Sequence, residues 1–569
     1  MISLVEDSPT RHRVGRGAGL VPLAALALLW ASLVPSMGRL QSNDYYGIVG
    51  QVVDGERFTS DPLRWLLVKS NEHTVVLPTL IYAANVGLFG GDNRALSALS
   101  LLFLLALGCV LWSLLPAGLR AGRLAALAWG LVLAGLVFTP AAAHSIVLGF
   151  SGTIWFLSNL FAALAAHRLA ACAAGRSGAT FAGLLAAAGL GALSYSTNLS
   201  LWPALLVGAV LLRLPLRRLA ALAGGGALAF AFAALTYTRP VQHAAPVVGD
   251  PVAVGKFLAV YLGAPLATDP RLAGLLGIAG LLVGGAFVAS VLVRRDRAEI
   301  EAVAPWLVLQ LYAVGNAFGT AVARAGMGGA RSSRYASVAI FLWIGLVVAG
   351  ALIATRTGRR HPRLRTRVVV AIGLLLVAAT WVHGRPILRA YRERATLHPL
   401  AELAIVHSVP DRLALDAVTP APQEIDLLRR FMEARRHVPF DRPPLATYGQ
   451  AVAVGPAPAG LPALDPATVV ATPVGGPVVR LELPGIRGFA RPTELLLAAD
   501  DGTARGVLRD VSPPWFVRWR RGDTGARRWA GYLVPAGVSG RLLVCVADPG
   551  GGPLNPVAVL PGPAVTADR

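Results

Sequence analysis

The sequence predicts a polytopic α-helical membrane protein, with about eleven transmembrane helices and a small β-rich extracytoplasmic C-terminal domain. Three observations carry this. The 569 residues are 55% hydrophobic and only 14% charged, with a mean hydropathy of +0.60, outside the usual range of a soluble globular chain. Apolar runs of spanning length recur between residues 18 and 384. Beyond Trp381 the chain becomes Pro-rich, with one amphipathic stretch and several short β-compatible runs.

The apolar runs lie at 18–38, 94–115, 123–140, 152–172, 178–195, 199–213, 217–237, 271–293, 303–322, 335–355 and 367–384, the sixth being short. Arg11, Arg13 and Arg16 precede the first run, and no small-residue cleavage site follows it, so it reads as an uncleaved helix. Arg120 and Arg123, Arg176, the Arg213 to Arg218 cluster, Arg294 to Arg297 and the Arg356 to Arg367 stretch fall on alternate connections, on the same side as the basic N-terminus. The positive-inside rule makes that side cytoplasmic. The expected location is the inner (cytoplasmic) membrane, multi-pass, with the N-terminus inside. Residues 1–384 then form the transmembrane domain, with outer loops 39–93, 238–270 and 323–334, and 385–569 form the extracytoplasmic soluble domain.

In that soluble domain, Val478 to Leu483 alternates from Val479 onward as a half-buried strand does; Glu494 to Leu497 and Arg541 to Val546 are β-compatible. Gln423 to Arg436 is the amphipathic stretch.

The net charge of +22 would point to nucleic acid in a soluble protein. Here the charge sits in connections between apolar runs, and no nucleic-acid partner is expected. Lys69 and Lys256 are the only lysines, and genomic composition explains the arginine bias as well as any preference for guanidinium does. Cys109, Cys172 and Cys545 make neither a disulfide framework nor a metal-binding cluster.

Candidate chemistry gathers in the outer connections. The first opens Asn43-Asp44-Tyr45-Tyr46 and continues into a short helix expected to end near Gly55. A carboxylate at the membrane boundary can act as general base on a hydroxyl, and Asp44 is equally suited to capping the helix. Further on, Asn71-Glu72-His73 offers groups for a sugar hydroxyl, a metal ion or a phosphate. Two adjacent residues are a weak metal signal, and an exposed polar turn fits as well. The third connection carries Arg324, Arg331 and Arg334 before Tyr335, three cations where the positive-inside rule expects few. Guanidinium forks match phosphate oxygens, so an anionic lipid phosphate is a natural partner, with interfacial anchoring as the alternative. In the second connection Lys256 adds a phosphate contact or snorkels.

Taken in order, these pieces resemble the polyprenyl-phosphate-dependent membrane glycosyltransferases of the GT-C type, which include the protein O-mannosyltransferases and lipid A aminoarabinose transferases. Asp44, directly after the first span, looks like that group's acidic first-loop residue. Gly47 to Gly55, Leu77-Pro78 and Phe89-Gly90-Gly91 followed by Arg94 look like its short helix, Pro-containing segment and Phe-Gly element. The resemblance covers mainly residues 15–115 and the general plan, with further support near Arg331 to Tyr335. Asn71-Glu72-His73 stands where the aminoarabinose-type enzymes carry Lys-Pro-Pro, which leaves donor and acceptor open.

What the resemblance implies is a hexosyl or pentosyl transferase. It would move a sugar from a polyprenyl-phosphate donor to a hydroxyl of a glycan, lipid or protein on the outer face, inverting the anomeric centre, with Asp44 as general base. Tyr45, Asn71, Glu72, His73, Lys256, Arg324, Arg331, Arg334 and Tyr335 are the candidate substrate-binding residues. No cofactor is called for, a divalent metal ion being the one candidate. The competing readings are a transporter or flippase of lipid-linked glycans, marked by intramembrane charges or matched broken helices, and a noncatalytic envelope assembly protein.

Overall fold

A backbone in an apolar environment must satisfy its own hydrogen bonds, which makes helices of long apolar runs. The computed structural model describes residues 9–42, 44–175, 178–239, 249–357, 362–441, 450–464, 469–475, 478–486, 494–512, 527–535, 538, 540–546 and 553–561. Among these, nine helices are long and apolar enough to cross a membrane. The runs at 178–195 and 199–213 are helical as well, as Gly178–Ser194 and Leu201–Leu211, but fall short of the ~20 residues a bilayer asks for. Two further short apolar helices, Val76–Phe89 and Pro251–Gly263, lie inside the connections read as loops.

Contacts divide the chain into two units that interleave in sequence. The first comprises Met1–Val34, Ser60–Ala83 and Arg94–Tyr391, and the second Pro35–Thr59, Ala84–Asn93 and Arg392–Arg569. The first connection is thus shared between units, and the contact-based division near the C-terminal part falls inside the last long helix, Pro362–Ala395, between Tyr391 and Arg392.

In the first unit, small residues set the closest helix approach. A Cβ on Gly263 would lie 1.9 Å from the Ala273 carbonyl oxygen, and one on Gly277 1.9 Å from that of Ala259. Helices Pro251–Gly263 and Pro270–Arg294 therefore meet backbone to backbone, as small residues permit. The helix expected over 123–140 ends at Val137. Thr139 caps a 3-10 turn at Pro140–Ala142, and a short helix at Ala143–Val147 precedes Gly149–Ala173.

The second unit is built on a seven-stranded antiparallel sheet. Its strands run in the order Asn555–Leu560, Leu542–Val546, Glu494–Ala499, Ala504–Asp510, Arg527–Leu533, Val478–Ile486 and Val470–Gly475. Alternation puts Val479, Leu481 and Leu483 into a core with Leu497, Trp529, Leu533 and Val544. The opposite face carries Arg480, which binds Asp411 at 3.1 Å, and Arg509, held by Glu402 and Glu494. The amphipathic stretch is a helix, Gln423–Ala434, burying Ile425, Leu428, Phe431 and Met432.

The helix after Asp44 spans only Tyr45–Gly50 and does not reach Gly55. A hairpin, Val53–Asp54 with Arg57–Phe58, takes the intervening residues, and Gly55 sits in its turn at φ +59°.

Candidate functional site

The sequence candidates fall into both units. In the first, Lys69–Ser70 pairs with His73–Thr74 as a hairpin whose turn is Asn71–Glu72. Asn71 adopts φ +54°, a conformation Asn tolerates better than most residues. The turn aims Glu72 at the end of helix Arg297–Arg324. Arg324 Nη2 donates to Glu72 Oε1 at 3.0 Å, and His73 Nε2 lies 3.2 Å from the same oxygen.

Burial alone would raise the Glu72 carboxyl, but the His73 hydrogen bond and the Arg324 charge outweigh it and hold Glu72 well below the usual carboxylate range. Burial pushes His73 down, and Arg324 and Arg334 add to this against the pull of Glu72. His73 is therefore neutral near pH 7 and serves Glu72 as an N–H donor.

Aromatic rings surround this group. His73 packs on Tyr195 at 4.4 Å between centroids, Tyr195 on Trp155 at 4.9 Å, and Trp155 on Tyr335 at 5.7 Å. Tyr335 stacks on Tyr261 at 4.8 Å, and the Arg334 guanidinium lies 5.4 Å from the Tyr335 ring centroid. The Tyr261 hydroxyl donates to Asn316 Oδ1 at 3.1 Å, tying the rings to the arginine-bearing helix.

The third connection is fixed at several points. Gly328 and Gly329, at φ +74° and +82°, reverse the chain after Arg324. Ser333 Oγ donates to the Ala141 carbonyl at 2.6 Å and accepts from the His144 N–H at 3.2 Å, anchoring the start of helix Ser333–Thr357 to the break after Val137. Ser337 Oγ donates to the Arg334 carbonyl at 2.9 Å, and Asn159 Nδ2 to the Ser337 carbonyl at 2.9 Å.

Of the predicted residues, Glu72, His73, Arg324, Arg334 and Tyr335 belong to this one cluster, and Asn71 positions it. Arg331 is exposed and donates to the Thr268 carbonyl instead. Lys256 is exposed on helix Pro251–Gly263. Trp155, Tyr195 and Tyr261 were not singled out from sequence, because an aromatic in an apolar helix carries no signal there beyond hydrophobicity.

Thr74, the residue after His73, lines an apolar recess of about 300 Å³. Leu193, Trp202, Leu228 and Phe232 form its walls with Ser196.

In the second unit, Asp44 occupies the N-cap position of Tyr45–Gly50 yet its side chain makes no capping hydrogen bond. Tyr45, predicted to touch substrate, is buried, and its hydroxyl faces His437 Nε2 at 3.2 Å. Burial lowers His437 to about 4, so the ring is neutral, with Nδ1–H donating to the Val438 carbonyl at 2.6 Å and Nε2 accepting from Tyr45. The Phe89-Gly90-Gly91 element packs here: the Val438 N–H donates to the Gly90 carbonyl at 2.8 Å, and Gln41 Nε2 to that of Gly91 at 2.8 Å. Arg39 pairs with Asp441, Asp92 and Glu402. Asn43 lies outside the described residues.

For a divalent ion, the described residues bring together no group of three or more His, Cys, Asp or Glu side chains able to hold one. Glu72 and His73 supply two such groups, and Arg324 already takes the carboxylate. Comparison with protein-family models, with curated proteins and with solved structures returns no match.

Proposed function

We propose that this chain is a membrane glycosyltransferase. It moves a sugar from a polyprenyl-phosphate donor to an acceptor hydroxyl at the extracytoplasmic face of the inner membrane, with inversion. The observation that carries the reading is the arginine-aromatic cluster of the first unit, in which half-buried Arg324 and Arg334 lie among aromatic rings. Two guanidinium groups lie there beside neutral His73 and the Tyr335 ring, and guanidinium forks suit a phosphate anion. The apolar recess beginning at Thr74, next in the chain, suits an isoprenoid tail.

Asp44 removes the acceptor proton as the hydroxyl oxygen attacks the anomeric carbon. The bond from that carbon to the phosphate oxygen breaks, and its electron pair leaves with the polyprenyl phosphate. A phosphomonoester carries more charge than the diester, so the leaving group gains charge as it departs. Arg334 and Arg324 stabilise that charge, most effectively where aromatic walls exclude water.

The test is incubation of the purified protein, in vesicles, with polyprenyl-phosphate-linked sugars and hydroxyl acceptors. We expect polyprenyl phosphate released in step with a new glycosidic bond of inverted configuration, read from the anomeric proton by NMR. Donor carried intact across the bilayer, with no bond formed, would overturn the reading in favour of a transporter.

A further inference from the structure

We propose that Glu424 acts with Asp44 as its proton-relay partner, a positioning residue that receives the proton Asp44 takes from the acceptor. The inference rests on the reading of Asp44 as general base. It begins from two facing elements of the second unit. Helix Tyr45–Gly50 packs on helix Gln423–Ala434, with Gly50 beside Leu428. The neighbouring hairpin joins the contact through Phe58 and Phe431, 5.0 Å between ring centroids.

Glu424 lies in the first turn of its helix, and its carboxyl accepts the backbone N–H of Gly47, three residues after Asp44. A Cβ on Gly47 would sit 3.2 Å from both Glu424 oxygens, tighter than ordinary contact, so glycine is what lets the carboxyl come this close. Asp44, for its part, does not use its side chain to cap the helix it begins. One short stretch therefore receives a carboxylate at its start and a second from the facing helix.

The surroundings suit a proton acceptor. Burial raises the Glu424 carboxyl above the usual carboxylate range, the charge of Asp44 raises it further, and the Gly47 N–H only partly offsets this. The other ionisable groups on the packed elements are Tyr45 and Tyr46 of the helix after Asp44, Asp54, Glu56 and Arg57 of the hairpin, Asp426, Arg429, Arg430 and Glu433 of the same helix, and Arg435, Arg436 and His437 beyond it. Glu424 is half-buried, so it also reaches water. The step balances. The acceptor O–H proton goes to the Asp44 carboxylate, then directly or through one water to the Glu424 carboxylate, and finally to solvent, which restores Asp44 as a base.

Activity then requires both carboxylates ionised, and the acid limb of turnover reaches a slope of two. Glu424→Gln keeps an oxygen for the Gly47 N–H but cannot take the proton. We expect kcat to fall about tenfold or more with KM nearly unchanged, the slope to drop to one, and Glu424→Asp to recover part of the rate. Added formate should rescue Glu424→Ala. Infrared titration of the purified protein gives a readout that needs no activity. A carboxyl band titrating above the ordinary glutamate range should vanish in Glu424→Gln and move to lower pH in Asp44→Asn.

If Asp44→Asn abolishes transfer while Glu424→Gln matches wild type in rate and slope, the relay is overturned and the base assignment stands. If Asp44→Asn transfers sugar undiminished, both fall. An infrared band unmoved by Asp44→Asn would overturn the coupling.

Discussion

Arg334 is the side chain whose loss should weaken donor binding most selectively. Glu72 pairs with Arg324 at 3.0 Å, and Arg334 brings the second guanidinium of the cluster, 5.4 Å from the Tyr335 ring centroid. A hydrogen bond to a charged group contributes about 1.5–3 kcal/mol, which corresponds to roughly 10- to 150-fold in affinity. Arg334 is half-buried and competes with water, which puts Arg334→Ala near the lower end, about tenfold. The assay is titration of labelled polyprenyl phosphate into the protein in nanodiscs of uncharged lipid. Two neighbours give controls of different sign. Arg331→Ala, whose guanidinium is exposed and bound to the Thr268 carbonyl, should cost less than about threefold. Glu72→Gln leaves both guanidinium groups without the carboxylate and should tighten binding. The reasoning is refuted if Arg334→Ala binds as wild type does, if Arg331→Ala costs as much, or if Arg334→Ala weakens acceptor binding equally.

Two stability predictions concern the second unit. Gly91→Ala places a Cβ 2.0 Å from His437 Nε2 at φ +70°; the strained backbone and the lost Tyr45 bond should together cost about 2 kcal/mol, seen as faster hydrogen exchange in segments 35–59 and 423–441, and wild-type protection would contradict it. His437 is held down to about 4 against 6.5 when unfolded, so the unfolded chain binds more protons between those values. Stability from this ring is present at pH 7 and falls by about 3 kcal/mol as pH drops through that window. His437→Gln should flatten this part of the acid-denaturation curve, leaving the parts from His398 and His407, which burial also lowers to about 4; an unchanged slope would count against a buried neutral ring.

The helices were legible because apolar runs of spanning length have few other structures open to them, and so was the break near Ser196–Ser200, which falls between the runs at 178–195 and 199–213; the end at Val137 was not, since Thr139-Pro140 sits inside the run at 123–140. The strand at Val478 showed its alternation plainly. The hairpin at Lys69–Thr74 did not, having only two residues per strand. At the site, the sequence singled out Glu72, His73, Arg324 and Arg334 in two separate connections, and the fold brings them into one group. That Glu72 meets Arg324, 252 positions away, is a tertiary fact no local pattern contains. Glu424 was hidden for a related reason. As a charged residue on an amphipathic helix it reads as a solvated face, and only the missing side chain of Gly47 lets it come so close to the helix that Asp44 begins.

The most direct measurement compares wild type with Asp44→Asn, at equal amounts in vesicles supplied with a polyprenyl-phosphate sugar and a hydroxyl acceptor. Asparagine keeps the shape of Asp44 and cannot take the acceptor proton. We predict unchanged donor binding with glycosidic bond formation reduced by about 10²- to 10⁴-fold. Bond formation at the wild-type rate would contradict the assignment of Asp44 and the glycosyl-transfer mechanism built on it.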